Sequence, residues 1–183
     1  MYVMFNSNTP LNRAVSFCLL VFTLFSPLNL FGAQLASSAK PIDASGFPSL
    51  QAALDSVPAS GGIVVLPSGE FGIDEPLRIH SENTHLTGAG SASVIINRNK
   101  SGLPALIIAP KDIAENKGSR IWRVQLSNFR VTGSTNSGDG IRAEGVQEIF
   151  IQGVTVDHNG GNGITLDHCY ENPRVVQSML TYN

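Results

Sequence analysis

Apolar residues recur in the second half of the chain at a spacing of 25 residues. The three segments that share this pattern are 124–131, 149–156 and 174–181. The positions that correspond are Leu126, Ile151 and Val176 in one set, and Phe129, Val154 and Met179 in the other. A second pair of segments aligns Ile141 with Ile164, which are 23 residues apart. A period in this range is typical of a solenoid.

The repeating unit favours a coil of short strands over the other solenoid classes. It contains no helical periodicity, which excludes helical repeats, and it lacks the leucine-rich strand and asparagine ladder of leucine-rich repeats. A single coil cannot bury its own apolar face, so each coil must stack on its neighbours. The inward-facing residues expected to stack are Ile149, Ile151, Val154 and Val156 on Val124, Leu126, Phe129 and Val131. The pattern predicts an all-β parallel β-helix over residues 63–183.

The segment before the first strand has helical rather than strand periodicity. Its apolar residues are spaced three and four apart, and the pair Gly61-Gly62 follows shortly after Pro58. This predicts an amphipathic helix over residues 48–57 within an N-terminal cap of residues 40–62. Short strand-like pieces follow, and the polar stretch 110–119 is expected to be a loop inserted among them.

Glycines flank the second repeat register. They are Gly138, Gly140, Gly161 and Gly163. Because glycine adopts positive φ at no steric cost, these positions are predicted to be sharp turns with φ above zero.

The first 39 residues are predicted to be a secretory signal peptide. Arg13 is the only charge before Lys40, and the apolar run that follows it is too short to span a bilayer comfortably. Small residues place the cleavage after Ala33 or after Ala39. The prediction is a secreted protein, extracellular or periplasmic, with no membrane attachment after cleavage. The alternative is an uncleaved N-terminal anchor.

Composition narrows the function classes. The net charge is -2 and only 14% of residues are charged, so no basic surface for nucleic acid is expected. Of the two cysteines, Cys18 leaves with the signal peptide, and Cys169 then has no partner for an intrachain disulfide. A lone cysteine of this kind is expected to be a buried small apolar residue.

Three passages together resemble the pectin-lyase-like right-handed parallel β-helix superfamily. They are FPSLQAALDSVPASGGIVVLPSGEF, THLTGAGSASVIIN, and the pair of GDGI and GNGI turns. The resemblance covers residues 42–183 and implies a helix that caps the N-terminal end of the coil. It also implies a polysaccharide as the partner.

The resemblance leaves the activity open, since the superfamily contains lyases, hydrolases, epimerases, tailspikes and adhesins. The chain lacks the paired-aspartate hydrolase signature and the Asp-Pro-His-Glu run of alginate epimerases. The expectation is a polysaccharide lyase or glycoside hydrolase that cleaves or modifies an acidic glycan. The alternative is a non-catalytic glycan-binding or structural surface protein.

Alternation along the strands places polar side chains in register on the outside of the coils. Arg142 is predicted to stack with Thr165, Glu144 with Asp167, Arg130 with Thr155, and Thr132 with Asp157. The candidate substrate-binding residues are Arg130, Arg142, Glu144, Asp157, His158 and Asp167.

These residue types suit the chemistry of an acidic polymer. A lyase must neutralise the uronate and supply a base, and the arginines, His158 or His168 offer cations and bases. Calcium would be a cofactor if the protein is a lyase, held by Asp157, Asp167 and Glu144. The alternative is that these are solvated residues without a role.

The third repeat unit stops at Asn183, before its next turn. An open coil exposes an apolar cross-section and free strand edges. The expectation is a β-helix that is incomplete at its C-terminus, or one that associates through the open coil.

Overall fold

The computed structural model describes residues 40–183, so the predicted signal peptide lies outside the described residues. These residues form 17 short strands, and every pair of neighbouring strands is parallel. The predicted parallel β-helix is therefore confirmed. Among residues 40–183, no helix is long and apolar enough to cross a membrane.

The strands are two to five residues long. In chain order they are β1 (Ile42–Asp43), β2 (Gly62–Val65), β3 (Gly69–Ile73), β4 (Leu77–Ile79), β5 (Thr84–Thr87), β6 (Ser93–Asn97), β7 (Leu106–Ile108), β8 (Ile121–Trp122), β9 (Gln125–Ser127), β10 (Arg130–Thr132), β11 (Ile141–Glu144), β12 (Val146–Gln147), β13 (Phe150–Gln152), β14 (Thr155–Asp157), β15 (Ile164–Asp167), β16 (Arg174–Val176) and β17 (Met179–Thr181). The helix α1 spans Leu50–Asp55, and two single 3₁₀ turns span Ala44–Gly46 and Gly90–Ala92.

Three sheets run along the coil axis. Sheet A has the order β1-β2-β5-β9-β13-β16, sheet B the order β17-β14-β10-β6-β3, and sheet C the order β15-β11-β7-β4. A small fourth sheet pairs β12 with β8. Each complete coil contributes one strand to each of the three main sheets, so the neighbours of a residue within a sheet lie one coil away.

The core is the inward stack expected from the apolar repeat. Leu126 pairs with Ile151 and Val131 with Val156, and all four side chains are fully buried. Each buried side chain of this size contributes about 1.5–3 kcal/mol. The other predicted stacking residues, Ile149, Val154, Val124 and Phe129, are buried as well.

The register of the last coil differs from the prediction by one residue. Ile151 pairs with Val175 rather than Val176, and Met179 pairs with Thr155 rather than lying level with Val154. A one-residue shift exchanges the two faces of a strand. The apolar pattern could not determine which register is adopted, because Val175 and Val176 are both apolar, and so are Met179 and Leu180. The 23-residue spacing between Ile141 and Ile164 is correct.

The capping helix is shorter than predicted. Ser49 is its N-cap, with the Oγ accepting a hydrogen bond from the backbone N–H of Ala52 at 3.1 Å, so Pro48 lies outside the helix. At the other end Ser56 is the C-cap, and Pro58 cannot continue the helix. Residues 48–49 and 56–57 of the predicted helix are therefore its flanks.

The four glycines of the second register do not adopt positive φ, so that prediction was wrong. The left-handed corners are instead occupied largely by other residues, including Arg123, Asn128 and Glu148. The glycines are required by close approach between coils. A Cβ on Gly138 would collide with the backbone of Gly102, and one on Gly140 would collide with a side chain of the core.

Candidate functional site

The outer face of sheet C carries a ladder with two arginines. Arg78, Ile107, Arg142 and Thr165 lie in register on β4, β7, β11 and β15. The stacking of Arg142 on Thr165 was predicted correctly, whereas Arg78 was missed. Since neighbouring strands are about 5 Å apart, the two arginines start from backbone positions about 10 Å apart. The ladder therefore places two cations on one face.

A second ladder lies two residues further along the same strands. Glu144 is in register with Asp167, as predicted, and His80 and Ala109 continue the ladder beyond the ends of β4 and β7. The Nδ1 atom of His80 lies 2.8 Å from the carbonyl oxygen of Ala109. A carbonyl can only accept, so Nδ1 donates, and Nε2 of the neutral ring is left with a free lone pair.

Two concave regions join along this face. One has a volume of about 530 Å³ and includes Asp139 and Arg142, and the other has a volume of about 280 Å³ and includes Arg78, His80 and Glu144. Ile107 and Arg142 line both regions. The inserted loop, residues 110–119, lines one side of the smaller region with Lys111, Ile113 and Ala114. We call the combined surface the sheet C groove.

Asp139 accepts more hydrogen bonds than the other carboxylate that lines the groove, Glu144. It accepts hydrogen bonds from the backbone N–H of Asn162 at 2.8 Å and from the hydroxyl of Thr165 at 2.9 Å. Its Oδ2 lies 3.6 Å from a guanidinium nitrogen of Arg142. Sequence reasoning passed over Asp139, although it is the central residue of the GDGI turn and that motif is the signal that identifies it.

The other two carboxylates of this face have partners of their own. Glu144 accepts from the ammonium of Lys117 at 2.8 Å, which ties the inserted loop to β11. Asp167 lies 2.7 Å from Nδ1 of His168, and both of these side chains are substantially exposed. Sheet C therefore brings together three of the predicted residues: Arg142, Glu144 and Asp167.

The remaining three candidates, Arg130, Asp157 and His158, form a separate cluster on sheet B. The guanidinium of Arg130 donates to both carboxylate oxygens of Asp157, at 2.9 and 3.0 Å, and Nδ1 of His158 lies 3.1 Å from Oδ1. Only 5% of Asp157 is exposed. Burial opposes its ionisation, but hydrogen bonds from Arg130, Thr132 and His158 outweigh burial and lower the pKa of Asp157.

The three carboxylates of the predicted calcium site are divided between these two sheets. Asp157 lies on sheet B, whereas Glu144 and Asp167 lie on sheet C. Within residues 40–183, no group of three His, Cys, Asp or Glu side chains is placed to hold a metal ion.

A serine–histidine contact occurs on sheet A. Nε2 of His85 lies 2.7 Å from Oγ of Ser127, and that hydroxyl donates to Oγ1 of Thr87 at 2.9 Å. With its hydrogen directed at Thr87, Ser127 accepts from His85, which is the reverse of the polarity that a nucleophilic serine requires. Burial lowers the pKa of His85 and favours the neutral ring. The contact is a polar cross-strand pair outside the sheet C groove.

Cys169 is a free thiol packed against the core and partly buried. Burial raises the pKa of this thiol, which disfavours the thiolate. Its sulfur lies 3.4 Å from the carbonyl oxygen of Asp167 and 3.7 Å from that of Ala143. These contacts suit a packing residue better than a nucleophile.

Comparison with known proteins gives two matches. A family model described as "Rhamnogalacturonase A/epimerase, pectate lyase-like" matches residues 46–179. The solved structure of ORF18 from Geobacillus virus E2 is 22% identical with a TM-score of 0.62, and the match covers 68% of this chain and 27% of that one. At this identity the likeness shows the fold alone. No curated protein matches the chain.

Proposed function

The chain belongs to the rhamnogalacturonase A/epimerase, pectate lyase-like family, and we propose that it is an exported enzyme that binds an acidic polysaccharide along the sheet C groove and acts on a bound uronate. The observation that carries the proposal is the ladder of Arg78 and Arg142 beside His80 on one concave surface. It joins the two requirements of uronate chemistry, a cation for the carboxylate and a base.

The arginines supply the binding energy and the orientation. A guanidinium pairs with a carboxylate through two parallel hydrogen bonds, so each arginine can fix one acidic sugar residue in position. Arg142 keeps donors for this role because its contact with Asp139 is long, at 3.6 Å. A polymer with repeated carboxylates can form ion pairs with both arginines, whereas a neutral glycan can form none.

His80 supplies the base. Its Nδ1 hydrogen is directed to Ala109, so Nε2 can take the proton from C5 of a bound uronate. The electron pair of that bond forms a double bond between C4 and C5 as the bond from C4 to the glycosidic oxygen breaks. The departing oxygen takes a proton from water, and the imidazolium of His80 then gives its proton to the hydroxide that remains, which restores the base. An arginine on the uronate carboxylate stabilises the negative charge that develops when C5 loses its proton.

The carboxylates of the groove fit hydrolysis less well. Hydrolysis of a glycosidic bond usually needs one protonated carboxyl group and a second carboxylate free to attack or to activate water. Glu144 is paired with Lys117, and Asp139 accepts three hydrogen bonds as well as facing Arg142. Elimination with His80 as the base requires neither of these carboxylates to be free.

A polymer panel tests the proposal. The protein is incubated with polygalacturonate, rhamnogalacturonan and alginate, with and without Ca²⁺, and unsaturated uronates are followed by ultraviolet absorbance alongside reducing ends. We expect unsaturated products from at least one polymer. His80→Gln should lower the rate by about 100-fold or more while polymer binding is retained. New reducing ends without unsaturated products would contradict elimination.

A second candidate is a glycan-binding protein without turnover. This candidate is favoured by the ion pairs of Glu144 and Asp139, since a paired carboxylate is less able to act as an acid or a base. The arginines can still bind an acidic glycan. It predicts that acidic polymers retard the protein in affinity electrophoresis, equally for the native protein and for His80→Gln. It also predicts no product from any polymer in the panel.

A further inference from the structure

At the N-terminal end of the β-helix, two strands, β2 of sheet A and β4 of sheet C, have their edges covered by the preceding part of the chain. Sheet A ends in β1, which pairs with β2. Sheet C ends in β4, whose edge is covered by the side chain of Gln51 on α1. The amide of Gln51 donates to the carbonyl of Arg78 at 3.1 Å and accepts from its N–H at 2.8 Å. The chain therefore satisfies these strand edges with its own groups.

The third sheet is not covered in this way. Sheet B ends in β3, which pairs only with β6 among residues 40–183. The carbonyl of Ile73 accepts from the N–H of Arg98, so this residue faces the sheet. Because successive residues of a strand point their backbone groups to opposite sides, Glu70 and Gly72 direct theirs to the free edge. An uncovered edge of this kind is a template for strand addition.

A cleft runs along this edge. It consists of two adjoining concavities of about 460 and 380 Å³ that share the side chains of Leu50 and Phe71. Phe71 and Ile73 are only partly buried, and they begin the inward stack that the later coils continue. We call this surface the N-terminal cleft. An added strand would find an apolar inner face there as well as free backbone groups.

Carboxylates outnumber cations at the cleft, where the guanidinium of Arg98 lies over Gly72 on the outer face of β3. Glu70, Asp74 and Glu75 line the cleft, and none of them forms a salt bridge with a residue of the described chain. Glu70 lies on the outer face of β3, in register with Val94. A strand that continues this pattern would place basic side chains beside Glu70 and apolar side chains over Phe71.

We propose that the N-terminal cleft binds an extended segment of a partner protein with alternating basic and apolar residues, as an additional strand on β3. The free backbone groups of Glu70 and Gly72 would form the hydrogen bonds with the added strand. Phe71 and Ile73 would provide the apolar contact. The three carboxylates would favour a basic segment over an acidic one. This interaction is separate from the sheet C groove and does not depend on glycan activity.

Titration with a synthetic peptide tests the proposal. A short capped peptide of alternating lysine and valine is compared by calorimetry with one of alternating glutamate and valine, and with a lysine–valine peptide N-methylated at its ladder amides. We expect the lysine–valine peptide to bind at least about tenfold more tightly than either control. The glutamate–valine peptide has the opposite charge, and the N-methylated peptide cannot donate the hydrogen bonds of the added strand. Glu70→Gln and Glu75→Gln should each weaken binding about two- to fivefold, and Glu115→Gln on the inserted loop should not.

Two results would overturn the proposal. Equal affinity for the N-methylated peptide would reduce the interaction to charge attraction without a strand. A concentration-dependent dimer that the peptide does not dissociate would identify a second copy of the chain as the occupant of the edge. The comparison among peptides needs no variant, so it stands even if a substitution in β3 impairs folding.

Discussion

Sheets B and C each have an outer arginine that contacts an aspartate, Asp157 on β14 and Asp139 in the turn before β11, and the two pairs differ in which groups they leave available. On sheet B, Arg130 donates to both oxygens of Asp157 at 2.9 and 3.0 Å. On sheet C, Arg142 lies 3.6 Å from Asp139 and lines a concave surface. The two arginines lie on the same coil, but Arg130 pairs tightly with an aspartate of the next coil, whereas Arg142 makes a longer contact with an aspartate of its own coil.

Hydrogen-bond geometry accounts for the difference more than burial does, because the side chains of Asp157 and Asp139 are 7% and 12% exposed. Asp157 is almost fully buried, so its charge must be matched within the protein, and the guanidinium of Arg130 matches it with two hydrogen bonds. Asp139 receives its hydrogen bonds from Asn162 and Thr165 and does not depend on the arginine. The side chain of Arg142 is 43% exposed and retains donors for a ligand.

The largest effect is expected from removing Arg142. Arg142→Ala should lower kcat/KM on the acidic polymer that the protein accepts by about 100-fold or more, because the bidentate contact with the substrate carboxylate is lost. Arg142→Lys should recover part of it, since lysine keeps the charge but not the bidentate geometry. Steady-state kinetics measure both. Arg174→Ala, an exposed arginine of sheet A, is the matched control and should leave the rate unchanged.

The next effect is on stability and is expected from the paired arginine. Arg130→Ala should lower the free energy of unfolding by about 1–3 kcal/mol, because it leaves the buried carboxylate of Asp157 without its principal donor. Urea denaturation gives the value. Combining Arg130→Ala with Asp157→Ala should cost less than the sum of the two single changes. Strictly additive losses would show that the pair is not coupled.

A pH titration sharpens the same contrast. The pKa of Asp157 is lower in the folded protein than in the unfolded chain, so its stabilisation is fully present above the ordinary carboxyl pKa. It is lost below about pH 4, as the unfolded state binds a proton first and the pH then falls through the folded pKa. The stability difference between the native protein and Arg130→Ala should therefore shrink in acid. A difference that stays constant to the lowest pH would contradict this assignment.

The smallest effect is expected from the ion pair of the inserted loop. Lys117 is 69% exposed at its side chain, so Lys117→Ala should change the free energy of unfolding by no more than about 0.5 kcal/mol. Thermal unfolding at low and high salt measures it. A loss well above this value would show that the contact with Glu144 organises the inserted loop as well as the surface charge.

Much of the fold was predictable, whereas the site was predictable only in part. The outer pairs Arg142–Thr165 and Arg130–Thr155 were assigned correctly, because a parallel coil places equal positions of its repeat in register. Arg78 and His80 were missed. They lie on and beside β4, in a region where the inserted loop interrupts the regular spacing, so no repeat linked them to Arg142.

The spacing of apolar residues was sufficient to establish the parallel coil and its inward stack, since burial requires the same positions to be apolar in every coil. It was not sufficient to decide which of two adjacent apolar residues faces inward, as Val175 and Val176 show. Nor did it distinguish Arg130 from Arg142. Those outcomes depend on turn lengths and on neighbours one coil away, and only the tertiary structure brings these groups to within a few ångströms of each other.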